Sequence, residues 1–351
     1  MTQTARYALV LPKIGAERSK FLSEAKLKNL SESKKIADVA TQLRDSEYQE
    51  QISRIIPPIT GRKLERAFQE TLIETFLKII KHSPKQVVGY LDLYLLKFEI
   101  ENIKTLIRTA AVKLSTEERL SKVYLSVEKY FKRTALMEEA VKAPSVPQIV
   151  NVFKNTEYGK LLITELKSYE ENNSPTYMDI ILDTMFYEKL FTAYEALPKN
   201  EKPHAKFYAS VANDSFILLT LLRGKNLNYD PDWLRIVVPR RYFNLSKREV
   251  EAIVSAINFD VAFKVVQEGY YGEYFERGQN PEAAIANAEK NFRKAVLRFA
   301  KSKIISEAFN IGSTLSFITT KEAEVHNLRA LSLGIEADLK PETIRNQLLM
   351  V

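Results

Sequence analysis

The chain has 351 residues, of which 45 % are apolar and 27 % charged, a balance typical of a folded globular protein. It contains no cysteine, which excludes disulfides and thiolate chemistry and favours a reducing compartment. The net charge of +8 comes from 52 basic and 44 acidic residues. This modest excess suits nucleic acid, an anionic membrane surface or an acidic protein, but it requires none of them.

Two classes of segment are missing from the sequence. No stretch has the roughly 18 apolar residues of a membrane span, and the first residues lack the apolar core of a signal peptide. Glycine and proline, which helix interiors tolerate least, number only 10 and 13, and the prolines lie mostly between periodic segments. The composition therefore predicts an all-α fold.

The first part of the chain predicts short helices. Residues 1–35 predict a lead-in and one helix, and a second short helix from Ile36 is expected to run into a turn at Tyr48. Pro57 and Pro58 then end any helix, because two prolines cannot lie inside one.

Two long helices and a capping motif follow. Apolar residues at helical spacing predict helices over 64–81 and 85–114, separated by Ser83-Pro84. Ser115 and Glu118 have the spacing of a capping box, so another helix is expected to begin there.

These parts recur twice. An apolar residue precedes a tyrosine by five positions in each copy, at Leu43/Tyr48, Phe153/Tyr158 and Val266/Tyr271. Each tyrosine is followed by a long predicted helix, and a second long helix then carries an arginine, at Arg108, Arg223 and Arg329. Asp214 precedes Arg223 by nine residues, as Glu99 precedes Arg108, and Glu322 precedes Arg329 by seven, as Glu101 precedes Arg108.

The recurrence predicts three helical units. We place them at 36–145, 146–258 and 259–351, with 1–35 completing the third, so that the ends of the chain meet and the units close into a ring. An open solenoid is the alternative, although solenoid repeats usually have only about 20–45 residues.

The sequence contains few groups that could form an active site. Gly224-Lys225 lacks the upstream glycine and the hydroxyl of a phosphate-binding loop. His82, His204 and His326 are far apart, and Glu322 with His326 is more typical of a surface pair than of a metal site. We therefore expect no catalytic residue, cofactor or metal.

The repeated charges allow two interpretations. They could form an ion-pair network that clamps consecutive helices, since arginine pairs carboxylates in a bidentate manner. Alternatively, Arg108, Arg223 and Arg329, with Glu101, Asp214 and Glu322, could surround a central opening and contact an inserted partner. The three tyrosines are expected to be core or turn anchors and not recognition residues.

Three segments resemble one known family. Residues 321–331, with Gly334 and 341–345, resemble the C-terminal signature of the C subunit of archaeal A-type and bacterial V-type ATP synthases, the counterpart of the vacuolar ATPase d subunit. Residues 101–108 and 221–225 resemble the internal motifs of that family. The chain departs from the pattern twice, with Ile217 in place of an asparagine and His326 in place of an arginine.

The resemblance implies an all-α protein of three pseudo-threefold-related helical units that form a closed funnel. It also implies a non-catalytic central-stalk rotor subunit without a nucleotide site, peripheral at the cytoplasmic face of the membrane. Its partners would be the central axle (D and F type subunits) of the ATPase head and the membrane proteolipid ring. The alternatives are a basic helical nucleic-acid-binding protein, which the interspersed acids disfavour, and an all-α enzyme with an unrecognised site.

Overall fold

The computed structural model describes residues 3–304 and 307–350. Within them the chain forms α-helices and one 3-10 turn at Gly272–Tyr274, with no strand, which confirms the all-α prediction. In this described part, no helix combines the length and apolar character that a bilayer span requires.

The described part contains twenty α-helices, of which six have more than 20 residues. In chain order they are α1 Gln3–Tyr7, α2 Val10–Arg18, α3 Glu24–Ser31, α4 Ile36–Gln42, α5 Gln49–Ser53, α6 Gly61–His82, α7 Lys85–Ala111, α8 Thr116–Leu120, α9 Leu125–Tyr130, α10 Thr134–Lys142, α11 Val146–Phe153, α12 Gly159–Asn172, α13 Thr176–Ala196, α14 Lys202–Asn226, α15 Pro231–Val237, α16 Lys247–Val254, α17 Phe259–Glu268, α18 Pro281–Lys303, α19 Ile311–Glu336 and α20 Pro341–Gln347.

The helices belong to two compact units. The first comprises the described residues of Met1–Val88, Leu197–Val211 and Ala286–Val351, and the second comprises Gly89–Ala196 and Ala212–Ile285. The N-terminal and C-terminal parts of the chain therefore fold together in the first unit.

The centre of the first unit is α19, most of whose residues are buried. Helix α6 lies along it, and α2, α3 and α4 also pack against it. At the end of the chain α20 contacts α3, and Arg345 pairs with Glu32 at 3.2 Å. Contacts between the first 35 residues and the last helices thus bring the ends of the chain together.

In the second unit α13 packs against α12 and α15, and two ion pairs join it to α7. Short helices α8 to α11 follow α7, and α15 to α17 follow α14. Each of these two long helices is therefore followed by a series of short helices, four after α7 and three after α14.

The long predicted helices are confirmed as α6 and α7, and Ser115 and Glu118 form the predicted capping box. The prediction of a single helix in 1–35 is wrong, because this segment forms the three helices α1, α2 and α3. Phe21 and Leu22 lie between α2 and α3, where Phe21 stacks on Phe317 at 5.6 Å and the Leu22 N–H donates to Glu324. Phe21 and Leu22 therefore contact α19 from the segment between two helices and do not belong to a single helix.

Candidate functional site

The three repeated tyrosines are buried and each meets a carboxylate on a long helix. Tyr48, Tyr158 and Tyr271 are at most 2 % exposed. The Tyr48 hydroxyl donates to Glu324 Oε1 at 2.6 Å, and the Tyr271 hydroxyl donates to Asp214 Oδ2 at 3.0 Å. Tyr158 and Glu99 share one donor, since Arg133 Nη1 donates to the Tyr158 hydroxyl and to Glu99 Oε1. The prediction that these tyrosines are core or turn anchors is confirmed.

The same turn presents two of the three tyrosines. The Ser46 hydroxyl donates to the Leu43 carbonyl and the Thr156 hydroxyl to the Phe153 carbonyl, both at 2.6 Å. Each hydroxyl then accepts the N–H of the tyrosine two residues later. In the third copy the corresponding residue is Gly269. Its backbone N–H, and not a side-chain hydroxyl, donates to the carbonyl three residues earlier, that of Val266. In two copies the local sequence therefore orients the tyrosine through a hydroxyl that caps the turn.

The site of Tyr48 contains a buried ammonium group. Lys321 is 0 % exposed, and its Nζ lies 2.5 Å from Glu47 Oε1, 2.6 Å from Glu324 Oε1 and 2.7 Å from the Tyr48 hydroxyl. It also lies 4.5 Å from the centre of the Tyr48 ring. Burial raises the pKa of Glu47 although the Lys321 charge opposes the shift. One cation and two carboxylates therefore satisfy each other inside the first unit.

The site of Tyr158 uses a guanidinium group instead. Arg133 donates to Glu99 Oε1 at 2.8 Å and to the Tyr158 hydroxyl at 3.1 Å. Burial raises the pKa of Glu99, and the nearby Arg133 charge partly offsets it. Glu157 joins Arg133 to Lys189, so the site is linked to α13.

The site of Tyr271 relies on N–H donors. Asp214 is 0 % exposed and accepts from the N–H groups of Phe243 and Asn244 at 3.1 and 2.7 Å. The Asn213 side-chain amide donates to it at 3.0 Å. Because Asp214 is fully buried and already bonded, it acts inside the fold and does not reach a partner as an interface residue.

The ends of the three long helices define how the repeats align. Helices α7, α14 and α19 each end before a residue with positive φ, at Lys113 (57°), Asn228 (56°) and Asp338 (52°). In each copy the next N–H bonds, at 2.9 Å, to the carbonyl five residues earlier, which is a recurrent C-cap. Aligning these caps pairs Glu99 and Asp214 with Glu324, the three carboxylates of the tyrosine sites.

This alignment corrects the third copy of the predicted arginine repeat. The counterpart of Arg108 and Arg223 is Leu333, because each lies five residues before the cap. The predicted match of Arg329 and Glu322 is therefore one helical turn out of register. Arg329 is the counterpart of Lys104, and both pair with an acid on the helix packed alongside, Arg329 with Glu65 and Lys104 with Asp183. Lys104 and Arg108 lie one turn apart on α7, and this allows such a slip.

The other predicted site residues lie at or near the surface. Arg108 donates to Glu101 Oε1 at 2.9 Å and to Asp179 Oδ2 at 2.7 Å, so it links α7 to α13. Arg223 is exposed, and Glu322 is partly exposed. Contact of these residues with a partner stays a prediction.

Two asparagines that the motifs include have a repeated role. Asn102 Oδ1 accepts the Tyr124 N–H at 2.8 Å, and Asn327 Oδ1 accepts the Leu349 N–H at 2.7 Å, each partner lying 22 residues later. In the middle copy Ile217 occupies this position, and the residue 22 positions later is Pro239. Proline has no N–H to donate, so an asparagine there would lose this bond.

His326, the other departure from the family pattern, is not a metal ligand in this geometry. Its Nδ1 lies 3.0 Å from Arg293 Nη1, which can only donate, so this nitrogen is an acceptor. Burial, with Arg293 and Arg329 beside it, lowers the pKa of His326 to about 4. The side chain is therefore neutral at pH 7. Among the described residues, no group of three His, Cys, Asp or Glu side chains could hold a metal ion.

Comparison with known proteins decides the family. The family described as ATP synthase (C/AC39) subunit matches residues 10–347. The chain belongs to this family. It is 27 % identical to the A-type ATP synthase C subunit of Methanocaldococcus jannaschii, over 98 % of this chain and 86 % of that protein. The C subunits of Methanosarcina mazei (26 % identical; 99 % and 94 % covered) and Pyrococcus furiosus (23 %; 97 % and 89 %) are also similar.

The part of the chain that matches the family model, residues 10–347, includes all three tyrosine sites. The C-terminal signature contains Lys321, Glu324 and Asn327, and the structure gives each a buried role in the first unit. Sequence reasoning selected Glu322 and Arg329 in this stretch and missed Lys321 and Glu324. The available signal was the recurrence of Glu-x-x-Asn at 99–102 and 324–327.

Proposed function

We propose that this chain is the central-stalk rotor subunit of an A/V-type ATP synthase. It would be a non-catalytic socket that couples the central axle of the ATPase head to the membrane proteolipid ring. The observation that carries the proposal is the family match over residues 10–347, a range that includes every landmark of the repeat. Its relatives are named as C subunits of A-type ATP synthases.

We propose further that the three units 36–145, 146–258 and 259–351, the last completed by 1–35, close into a funnel-shaped ring. Support comes from the equivalence of the three tyrosine sites, in which each tyrosine binds the long helix that precedes it in the repeat order. For Tyr48 that helix is α19, at the other end of the chain. The Leu22 N–H donates to the same carboxylate at 2.6 Å, which supports a role of residues 1–35 in this closure.

The buried sites suit a part that transmits torque. Close-packed interiors resist deformation, and a buried polar group that loses its partner costs about 1–3 kcal/mol. Hydrogen bonds therefore oppose sliding of each long helix against the turn that it contacts, directly at Tyr48 and Tyr271 and through Arg133 at Tyr158. Under this proposal, the partners are the D and F type axle subunits and the proteolipid ring, at the cytoplasmic face of the membrane.

The test is recovery of the tagged chain from mildly solubilised native membranes, followed by mass spectrometry. We expect ATPase head subunits, axle subunits and a small proteolipid to be recovered together. A tag on an unrelated cytoplasmic protein of similar charge is the control. Recovery without any ATP synthase subunit, or mainly with nucleic-acid-binding proteins, would contradict the proposal.

A further inference from the structure

The second half of α18 is unusually basic. Residues 290–303 contain six cations and no acid, namely Lys290, Arg293, Lys294, Arg298, Lys301 and Lys303. The apolar side chains of Phe292, Leu297 and Ala300 are buried, so this helix faces the core with its apolar side. The cations therefore decorate the remaining surface of a helix that is already packed.

Part of this charge is neutralised within the first unit. Arg293 pairs with Glu289 at 2.7 Å, and Lys303 lies 3.7 Å from Glu307. Lys301 lies 3.6 Å from Glu24 and is otherwise exposed. In the described residues Lys294 and Arg298 form no ion pair.

Three cations form one line on the helix. Lys294, Arg298 and Lys301 are separated by four and three residues, so they share a face over about 10 Å. At the Lys301 end lies a cleft of about 470 Å³ lined by Arg18, Phe21, Ile304 and Thr320 as well. Arg18 is exposed and, in the described residues, forms no ion pair. We call Arg18, Lys294, Arg298 and Lys301 the basic strip.

The basic strip is not a requirement of helix packing. Helix α13 holds the same place as α18 after its tyrosine site, yet it has four acids and one lysine, at Asp179, Asp183, Glu188, Glu195 and Lys189. Both helices have more than 20 residues, and both bury apolar side chains in the core. The fold therefore does not require a basic helix at this place.

We propose that the basic strip docks an acidic helical segment of a neighbouring protein subunit. Carboxylates spaced by one turn would meet Lys294, Arg298 and Lys301, and one apolar side chain would enter the cleft against Phe21. This inference rests on the proposed function, which supplies a neighbouring subunit. A protein segment is favoured over a membrane because the apolar face of α18 is buried and has nothing to insert into lipid.

The test compares two triple charge reversals in the full chain. The strip variant is Lys294→Glu, Arg298→Glu and Lys301→Glu. The control variant is Lys142→Glu, Lys154→Glu and Lys160→Glu, three exposed lysines on other helices and turns. Circular dichroism and thermal melting of both should match the wild type, since surface substitutions usually change stability by no more than about 0.5 kcal/mol.

Two measurements then give a decision. In membrane extracts, the strip variant should be recovered with the ATP synthase at least about tenfold less than the wild type, whereas the control variant should be unaffected. In fluorescence anisotropy, a synthetic helical peptide with glutamates one turn apart and one leucine should bind the wild type and the control variant. It should bind the strip variant at least about tenfold more weakly, and added salt should reduce wild-type binding.

The outcomes separate the two proposals. If the wild type is recovered with the synthase and the strip variant is recovered equally well, the basic strip does not dock a subunit, while the proposed function stands. If no chain is recovered with the synthase, the proposed function fails. Strip-dependent binding to phosphatidylserine vesicles, with no binding of the acidic peptide, would show that the strip binds lipid and would overturn the inference.

Discussion

Lys321 is a buried lysine that pairs with two carboxylates. A buried ammonium group is tolerated only when opposite charges and hydrogen bonds replace its water. Glu47, Glu324 and the Tyr48 hydroxyl supply these contacts, each within 2.7 Å. Because these partners come from both ends of the chain, the ammonium group joins residues that are far apart in sequence.

Replacing Lys321 should therefore destabilise the protein strongly. Lys321→Met keeps most of the volume but leaves two buried carboxylates without their cation, so we expect a loss of about 3–5 kcal/mol. Urea denaturation measures it as a lower midpoint. Lys142→Met, at an exposed lysine, is the matched control and should change stability by less than about 0.5 kcal/mol. An equal midpoint for both variants would contradict the assigned role.

Glu128 provides a test that depends on pH. It is fully buried and accepts from the Asn102 amide at 2.7 Å. Burial raises the pKa of Glu128 to about 8 from its usual 4.5. The folded state then binds a proton that the unfolded state releases between these two values. This contribution to stability is complete below pH 4.5 and is lost as the pH rises towards 8.

Glu128→Gln should remove this dependence. The glutamine keeps an acceptor for Asn102 and never ionises, so the variant should gain stability relative to the wild type as the pH rises from about 4.5 to 8. Urea midpoints across this range measure the difference. Glu138→Gln, at an exposed acid of the same unit, is the matched control. A Glu128→Gln difference that falls with rising pH would contradict the assignment.

At the scale of elements, sequence patterns predicted the long helices and the tyrosine turns. Both are local, since helical periodicity and the Ser or Thr two residues before the tyrosine depend on neighbouring residues only. The register of the third long helix was not predictable in this way. Arg329 can be matched with Lys104 or with Arg108, which lie one turn apart, and only the C-cap at Asp338 and the tyrosine site at Glu324 fix the alignment.

The N-terminal helices show the same limit. Tyr7, Val10 and Ile14 are buried at helical spacing, but α1 and α2 have only 5 and 9 residues. Such short patterns are weak in isolation, because short helices depend on tertiary packing. The contacts of Phe21 and Leu22 with α19 likewise join residues about 300 positions apart, which local sequence does not reveal.

Two glycines allow short helices to pack on the ends of long ones. A Cβ at Gly224 would lie 2.4 Å from Leu234 Cδ2, and a Cβ at Gly334 would lie 2.8 Å from Ile344 Cγ1. The spacing of ten residues is the same in both copies. The short helices α15 and α20 can therefore pack this closely only because positions 224 and 334 carry no side chain.

Alanine at either glycine should overfill these contacts. We expect Gly224→Ala and Gly334→Ala to destabilise the protein by about 1–3 kcal/mol. Gly89→Ala is the control, because Gly89 is exposed inside α7 and a Cβ there would meet nothing within 4 Å. That change should stabilise by about 0.5–1 kcal/mol through helix propensity. Thermal unfolding of the three variants measures both signs, and destabilisation by Gly89→Ala alone would contradict the packing role of the other two glycines.

At the scale of the whole molecule, the chain places a buried tyrosine near a carboxylate of a long helix three times, and a different group compensates the carboxylate at each site. A lysine, an arginine and backbone N–H groups compensate Glu324, Glu99 and Asp214. The geometry is therefore retained while the charge differs, which is expected when the arrangement itself is what matters. In the proposed function that arrangement holds the helices together under load.

The decisive measurement for the proposed coupling role uses inverted membrane vesicles that lack the chain. We expect ATP hydrolysis by the head to continue while ATP-driven ion pumping is lost, since the axle would no longer be joined to the proteolipid ring. Adding back the purified wild-type chain should restore pumping. Vesicles without the chain that still pump ions at the wild-type rate would contradict a coupling role.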